Sequence, residues 1–262
     1  MIYLVCYCVT FFACALGTVC GMGGGILIKP VLDAFGVMPV SAITFLSGCT
    51  VIAMSCWSVG RALAKGDSEL EMKTTPLLAA GAALGGLAGR ELFSRVAELF
   101  PDRDAAGGVQ ACLLLAATFA TLLYTLNKDR VRSRQVRAPG VAAAIGVALG
   151  MLGAFLGIGG GPFNVAVLYC FFSMPAKKAA QNSLLIVLLS QLASTLKTVL
   201  ADGAPALDPA ILAGMVVLGI LGSEAGRRVN RRIDNAQAAR CLEAVMVLIM
   251  AINVYNIWKF MY

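Results

Sequence analysis

The chain has 262 residues, 59% of them hydrophobic and only 13% charged, with a net charge of +7. A soluble domain carries about 25% charged residues and lacks repeated apolar runs of about 20 residues, so this composition excludes an ordinary globule and describes a polytopic membrane protein. The positive residues fall in short stretches between apolar runs, as in cytoplasmic loops, so they do not call for nucleic acid.

The first apolar run, Met1–Cys20, resembles a signal-peptide core, but it has no positive leading segment and continues into a glycine-rich stretch. It is expected to be a first membrane segment. A short run, Ile26–Phe35, follows, and Pro39 opens a third that ends near Val59. Arg61–Lys73 reads as a polar loop, Pro76–Gly89 as a run of small residues suited to close helix packing, Arg90–Asp104 as a mixed-charge loop, and Ala105–Leu126 as the next span. The basic segment Lys128–Arg137 marks a boundary. It divides the chain into a first membrane repeat (1–127), a linker (128–138) and a second repeat (139–262). The order then recurs: Val141–Leu156, a glycine break, Phe163–Phe172, Ala179–Leu196, a loop at Ala201–Asp208, Ile211–Ala225, a basic loop Arg227–Arg240, and Leu242–Phe260.

The recurrence is a duplication. Gly17, Gly21, Gly23, Gly24 and Gly25 match Gly153, Gly157, Gly159, Gly160 and Gly161 at a constant offset of 136, which Met38-Pro39 and Met174-Pro175, and Ser47 and Ser183, also keep. Each glycine costs a helix interior about 1 kcal/mol relative to alanine, and in lipid every freed backbone group needs a partner. The breaks are therefore expected to face protein or a polar cavity. If each glycine region were one crossing, Lys and Arg would divide evenly between the two faces. If the chain turns back there, Arg61, Lys65, Lys73, the linker, Lys177, Lys178 and Arg227–Arg240 gather on one face, leaving Arg90, Arg95, Arg103, Lys197 and Lys259 on the other. The positive-inside rule selects the second arrangement. The expected fold is all-α: two inverted repeats, each a glycine-broken helix pair plus three further transmembrane helices. The linker 128–138 and loop 227–240 would be cytoplasmic and both termini outside. Whether the broken pairs cross fully or are re-entrant stays open.

Inverted repeats with broken helices are a feature of secondary transporters, with the solute site at the repeat interface. The half-helices after Gly25 and Gly161 begin with unpaired N–H groups at the positive end of the dipole, and Pro162 suits a first helical position. Two such starts converging would bind an anion, which nominates Gly23, Gly24, Gly25, Gly159, Gly160 and Gly161; tight GxxxG helix packing is the competing reading. Lys29 and Asp33, spaced i,i+4 in a short apolar run, are either a self-satisfied ion pair or an anion contact with a proton relay. Asn164 is near enough to Gly161 to line the same pocket. Ser183, Ser190, Ser194 and Lys197 form a polar stripe behind Gln181 and Asn182, echoed more weakly by Ser47, Ser55 and Ser58; it is either interhelical glue or a solute path. Glu224 and Glu243 are expected to pair with nearby arginines. With no histidine and no CxxC pair among nine cysteines, no metal site, disulfide framework, cofactor or catalytic cluster is expected.

The stretches Gly21–Pro30 (GMGGGILIKP) and Gly157–Val165 (GIGGGPFNV), followed by Met38-Pro39 and by Lys177–Ser183, resemble the sulfite exporter TauE/SafE family of membrane permeases. The resemblance spans both repeats and the linker. It implies a carrier in the cell membrane that exports a small sulfur-containing anion such as sulfite or an organosulfonate. Where that family tends to show Gly-Thr-Ser, this chain has Gln181-Asn182-Ser183 and Phe45-Leu46-Ser47, and the resemblance implies solute contact at Gln181, Asn182, Ser183 and Ser47. The expected partners are the anion, the lipid bilayer and possible copies of the same chain in a homodimer. A non-transporting membrane scaffold, or a carrier or channel for another small solute, is the alternative.

Overall fold

A computed structural model describes residues 2–66, 69–99, 105–127, 135–136, 138–201, 203, 205 and 207–261. Among them the chain is helical, with ten helices in two matching sets of five. The first set is α1 (Ile2–Cys20), α2 (Gly25–Phe35), α3 (Val40–Ala64), α4 (Thr75–Ala97) and α5 (Ala105–Leu126). The second is α6 (Pro139–Phe155), α7 (Gly161–Phe172), α8 (Ala176–Ala201), α9 (Pro209–Arg232) and α10 (Asn235–Met261). Six helices are long and apolar enough to cross a membrane: α1, α3, α5, α8, α9 and α10. Large apolar side chains such as Leu4, Phe12, Leu84, Phe119, Val254 and Trp258 face outward, as a lipid-facing surface requires. The protein is a multi-pass membrane protein.

The helices outrun their apolar stretches. Arg227–Arg240, expected as a loop, is helical on both sides of a two-residue turn at Ile233-Asp234. Asp234 Oδ1 accepts the Gln237 N–H at 2.7 Å and Gln237 Oε1 accepts the Asp234 N–H at 2.9 Å, a reciprocal cap that starts α10 at once. Likewise α4 runs on to Ala97 through the expected loop from Arg90, and α3 to Ala64. Arg, Glu, Gln and Ala are strong helix formers, so an apolar run ends where lipid ends and the helix need not. Most of the basic linker 128–138 lies outside the described residues.

The two halves interleave. α1 packs along α9 as α4 packs along α6, and α3 crosses its own counterpart α8. Tyr3 bonds Asp208, Tyr7 bonds the Ala210 carbonyl, and Asn230 bonds the Val19 carbonyl, so α1 and α9 run parallel. Glycines make this approach close. A Cβ on Gly222 or Gly226 would lie 2.3 or 2.2 Å from the carbonyls of Phe11 and Ala15. The counterparts in α4 are Gly85 and Gly89, where a Cβ would lie 2.0 and 2.2 Å from the carbonyls of Val147 and Met151. By contrast α3 and α8 run in opposite directions: Val51 and Val187 both flank Gly23, while Gly48 faces Thr195 and Gln191.

Candidate functional site

The glycine breaks turn the chain back on itself. In the first, Gly21 and Gly23 take φ of +72° and +70°, and a Cβ on Gly17 would sit 2.6 Å from the Gly23 carbonyl carbon. In the second, Gly157, Gly159, Gly160 and Gly161 all have positive φ, and a Cβ on Gly153 would lie 2.4 Å from the Gly160 nitrogen. Only glycine enters this region without strain. The copies differ at two positions: Gly24, at φ −66°, and Gly25 lack the positive φ of their counterparts Gly160 (+113°) and Gly161 (+52°).

The two breaks touch each other. A Cβ on Gly25 would lie 3.2 Å from the Ile158 carbonyl oxygen, and one on Gly161 would lie 2.5 Å from Ile26 Cδ1. The starts of α2 and α7 thus meet inside the molecule. Neither has an acidic residue in its first turn, and neither N-cap glycine makes a side-chain cap bond. Pro162 lies in the first turn of α7, as expected. Each start carries roughly half a positive charge from its peptide dipoles.

Polar side chains stand at this junction. Asn164, 1% exposed, packs on Gly160, and neither its Nδ2 nor its Oδ1 has a partner among the described residues. Ser47 Oγ would lie 3.1 Å from a Cβ on Gly25 and is equally unpartnered and buried, as is Ser183 at the matching place on α8. Buried polar atoms are nearly always satisfied, so orphans at one locus point to a ligand or water. Lys29 reaches across the junction, its Cε 3.1 Å from where a Gly157 Cβ would be. Its Nζ pairs with Asp33 Oδ2 at 2.8 Å, both side chains being at most 5% exposed. Asp33 Oδ1 has no partner among the described residues. Lys259 Nζ bonds the carbonyls of Asp33 and Ala34, a cation at the negative end of α2.

Gln181 and Asn182 are engaged elsewhere. Asn182 Oδ1 accepts from the Glu71 N–H and the Thr75 hydroxyl, and its Nδ2 donates to the carbonyls of Glu69 and Lys178. With its amide committed to the 69–71 loop, Asn182 fastens that loop to α8. Gln181 Oε1 accepts the Glu69 N–H at 2.9 Å. Glu224 gathers Trp57, Arg61, Arg227 and Arg228 about its carboxylate at 3.3–3.7 Å, the arginine pairing expected of it.

A cavity of about 350 Å³ opens where α1, α3 and α9 end and α8 begins. Thr18, Ser58, Gln181, Asn230 and the cations Lys177, Arg227 and Arg231 line it. Its wall residue Ala180 abuts Gly21 of the first break. A second cavity, of about 20 Å³, lies among Thr44, Gly157, Gln191, Ser194 and Arg90. That is room for about one water. The two linings match along the sequence. Thr18, Ser58, Val59, Ala62 and Ala180 in the first correspond to Ala154, Ser194, Thr195, Thr198 and Thr44 in the second, all at the offset of 136. Arg227 corresponds to Arg90 at an offset of 137, each following a Gly-x-x-x-Gly pair: Gly222 and Gly226, Gly85 and Gly89. Sequence reasoning assigned both arginines to loops, although that repeated spacing is visible in it.

The family profile described as "Sulfite exporter TauE/SafE" matches residues 6–254. No curated protein and no solved structure matches the chain.

Proposed function

The chain belongs to the sulfite exporter TauE/SafE family, a family of membrane permeases, and on that premise we propose that it exports a small sulfur-containing anion, bound at the junction of the glycine breaks and moved by alternating access. The observation that carries this reading is the meeting of two uncapped helix starts, with no acid in either first turn, beside the unpartnered side chains of Asn164 and Ser47. Such a junction repels cations and supplies N–H, amide and hydroxyl donors to an oxyanion. Lys29 adds charge from one side, and Ser183 adds a hydroxyl from α8. Asp33 is the proton or charge relay of the pair.

An inverted relation between the halves is supported by the helix directions. α3 opposes its own counterpart α8, while α1 runs with α9 and α4 with α6. α4 runs with α8, from Thr75–Asn182 to Glu91–Lys197, and α9 with α3, from Gly219–Thr50 to Ser223–Met54, so equivalent helices point opposite ways. The unequal cavities support a carrier over a channel, because the matching space is open in one half and collapsed in the other. The open cavity faces the basic ends of α9 and α8, the cytoplasmic side under the positive-inside rule, which is where an exporter loads.

The test is uptake of labelled sulfite, sulfate and an alkyl sulfonate into proteoliposomes. Wild type should move at least one sulfur anion. Asn164→Ala should lower that flux about 10-fold or more at equal protein in the membrane, since a hydrogen bond to a charged group is worth about 1.5–3 kcal/mol. If wild type moves none under any gradient, the reading is wrong. A non-transporting scaffold would show no flux and no response to Asn164→Ala.

A further inference from the structure

We propose that Arg227 and Arg90 are a matched pair of anion-binding residues, one in each of two vestibules that the protein exposes in turn. The proposal deepens the reading above and rests on it for the ligand, a small oxyanion.

Three independent observations carry it. First, each arginine lines its own cavity, and the surrounding walls correspond residue by residue between the halves. Second, both are placed by the same backbone packing. Gly226, before Arg227, packs on the Ala15 carbonyl and Gly89, before Arg90, on that of Met151; a Cβ added at either would lie 2.2 Å from the carbonyl oxygen. Ala15 and Met151 are themselves counterparts at the offset of 136. The duplication has therefore kept a helix–helix contact that delivers a guanidinium to the mouth of each half-pathway. A planar guanidinium binds an oxyanion through two parallel N–H donors, which a lysine cannot reproduce.

Third, the two mouths differ in a way that accounts for one being open. Outside the lining of the collapsed vestibule, on the same two helices as Arg90 and Ser194, Lys197 bonds Glu91 at 2.5 Å and the Leu87 carbonyl at 3.5 Å, tying α8 to α4. The counterparts of Lys197 and Glu91 at the open vestibule are Arg61 and Arg228, two cations that cannot pair. There Glu224, whose counterpart is Leu87, holds Arg61, Arg227 and Arg228 on one carboxylate. Glu224 stands behind the lining, in which Glu69 is the acid, and an arriving anion competes with Glu224 for Arg227. Leu87 stands at the position equivalent to Glu224, and Arg90 meets the solute only after the Lys197–Glu91 tie has parted.

The experiment measures local potential as well as transport. Ser58→Cys and Ser194→Cys place a thiol in the open and collapsed vestibules, in a background from which the exposed Cys8, Cys56 and Cys112 have been replaced. The readout is the ratio of modification rates by a sulfonate-bearing and a neutral maleimide. Arg227→Gln should lower that ratio at least five-fold at position 58 and leave it unchanged at 194; Arg90→Gln should do the reverse. Each should cut sulfite flux at least 10-fold, with Arg→Lys restoring only part. Glu91→Gln should raise the overall rate at position 194. Unchanged ratios, equal falls at both positions, or no modification at 194 even in Glu91→Gln would overturn the proposal. If the ratios respond as expected but wild type moves no sulfur anion, the paired sites stand and the transport reading falls.

Discussion

Asp33→Leu removes one half of a buried ion pair and leaves the other half in place. Lys29 Nζ and Asp33 Oδ2 are 2.8 Å apart, with side chains 4% and 5% exposed, so neither charge has water to fall back on. Removing one partner of such a pair costs about 3–5 kcal/mol, whereas replacing both by apolar residues of similar size is about neutral. Lys29→Met and Asp33→Leu should therefore each destabilise by about 3–5 kcal/mol, and the double variant should return to within about 1 kcal/mol of wild type. Unfolding in mixed micelles titrated with SDS, followed by the fluorescence of Trp57 and Trp258, measures the cycle. Strictly additive single effects would refute the pairing argument. The same double variant separates structure from transport. If Lys29 contacts the anion, this well-folded protein carries little flux; if flux stays at the wild-type level, Lys29 serves the fold alone.

Gly153→Ala should prevent folding, because a Cβ there would meet backbone at 2.4 Å, and should give aggregated protein on size-exclusion chromatography, while Gly140→Ala, with nothing within 4 Å, should stabilise by up to about 1 kcal/mol in thermal unfolding against wild type. Cys20 Sγ and Cys241 Sγ lie 3.5 Å apart, so mild oxidation should yield an intramolecular disulfide between α1 and α10, seen as one cross-linked peptide by mass spectrometry and lost in Cys20→Ser. The Tyr3 hydroxyl, and then the Ala210 N–H, hold the Asp208 carboxyl below its usual range. Its stabilising contribution is thus complete above the ordinary carboxylate pKa and is lost as pH falls through the lower folded value. Tyr3→Phe should flatten the acid limb of a stability–pH curve, and an unchanged limb would count against the contact.

The parts of the site that sequence shows plainly are those governed by local backbone rules. Clustered glycines in an apolar run announce a break wherever they occur, and a fixed offset announces it twice. Lys29 and Asp33 are legible for a similar reason, since i,i+4 spacing settles their contact within one helix. What stays hidden depends on partners far along the chain. Asn182 looks like a solute ligand until Glu69, Glu71 and Thr75, more than a hundred residues away, are seen to consume its amide. Arg90 and Arg227 hide for another reason: their offset is 137 against 136 for the breaks, and a charge count places any arginine at a membrane edge in a loop. Helix ends are obscured because hydropathy reports the limit of lipid, not the limit of hydrogen bonding.

The pairing of α1 with α9 also sets a schedule for making the protein. Tyr3 and Asp208 are 205 residues apart in the chain. At about 5–20 residues per second, α1 waits roughly 10–40 s after its own synthesis before the helix it lies against exists. Until then the face that later holds Cys6, Ala13, Cys14 and Gly17 in the interior has only lipid or the insertion machinery to meet. Assembly cannot proceed half by half, because each half's first helix belongs against the other half's fourth. A ribosome that stalls within the second repeat would thus leave a first repeat that is inserted yet unfinished, a natural substrate for membrane quality control.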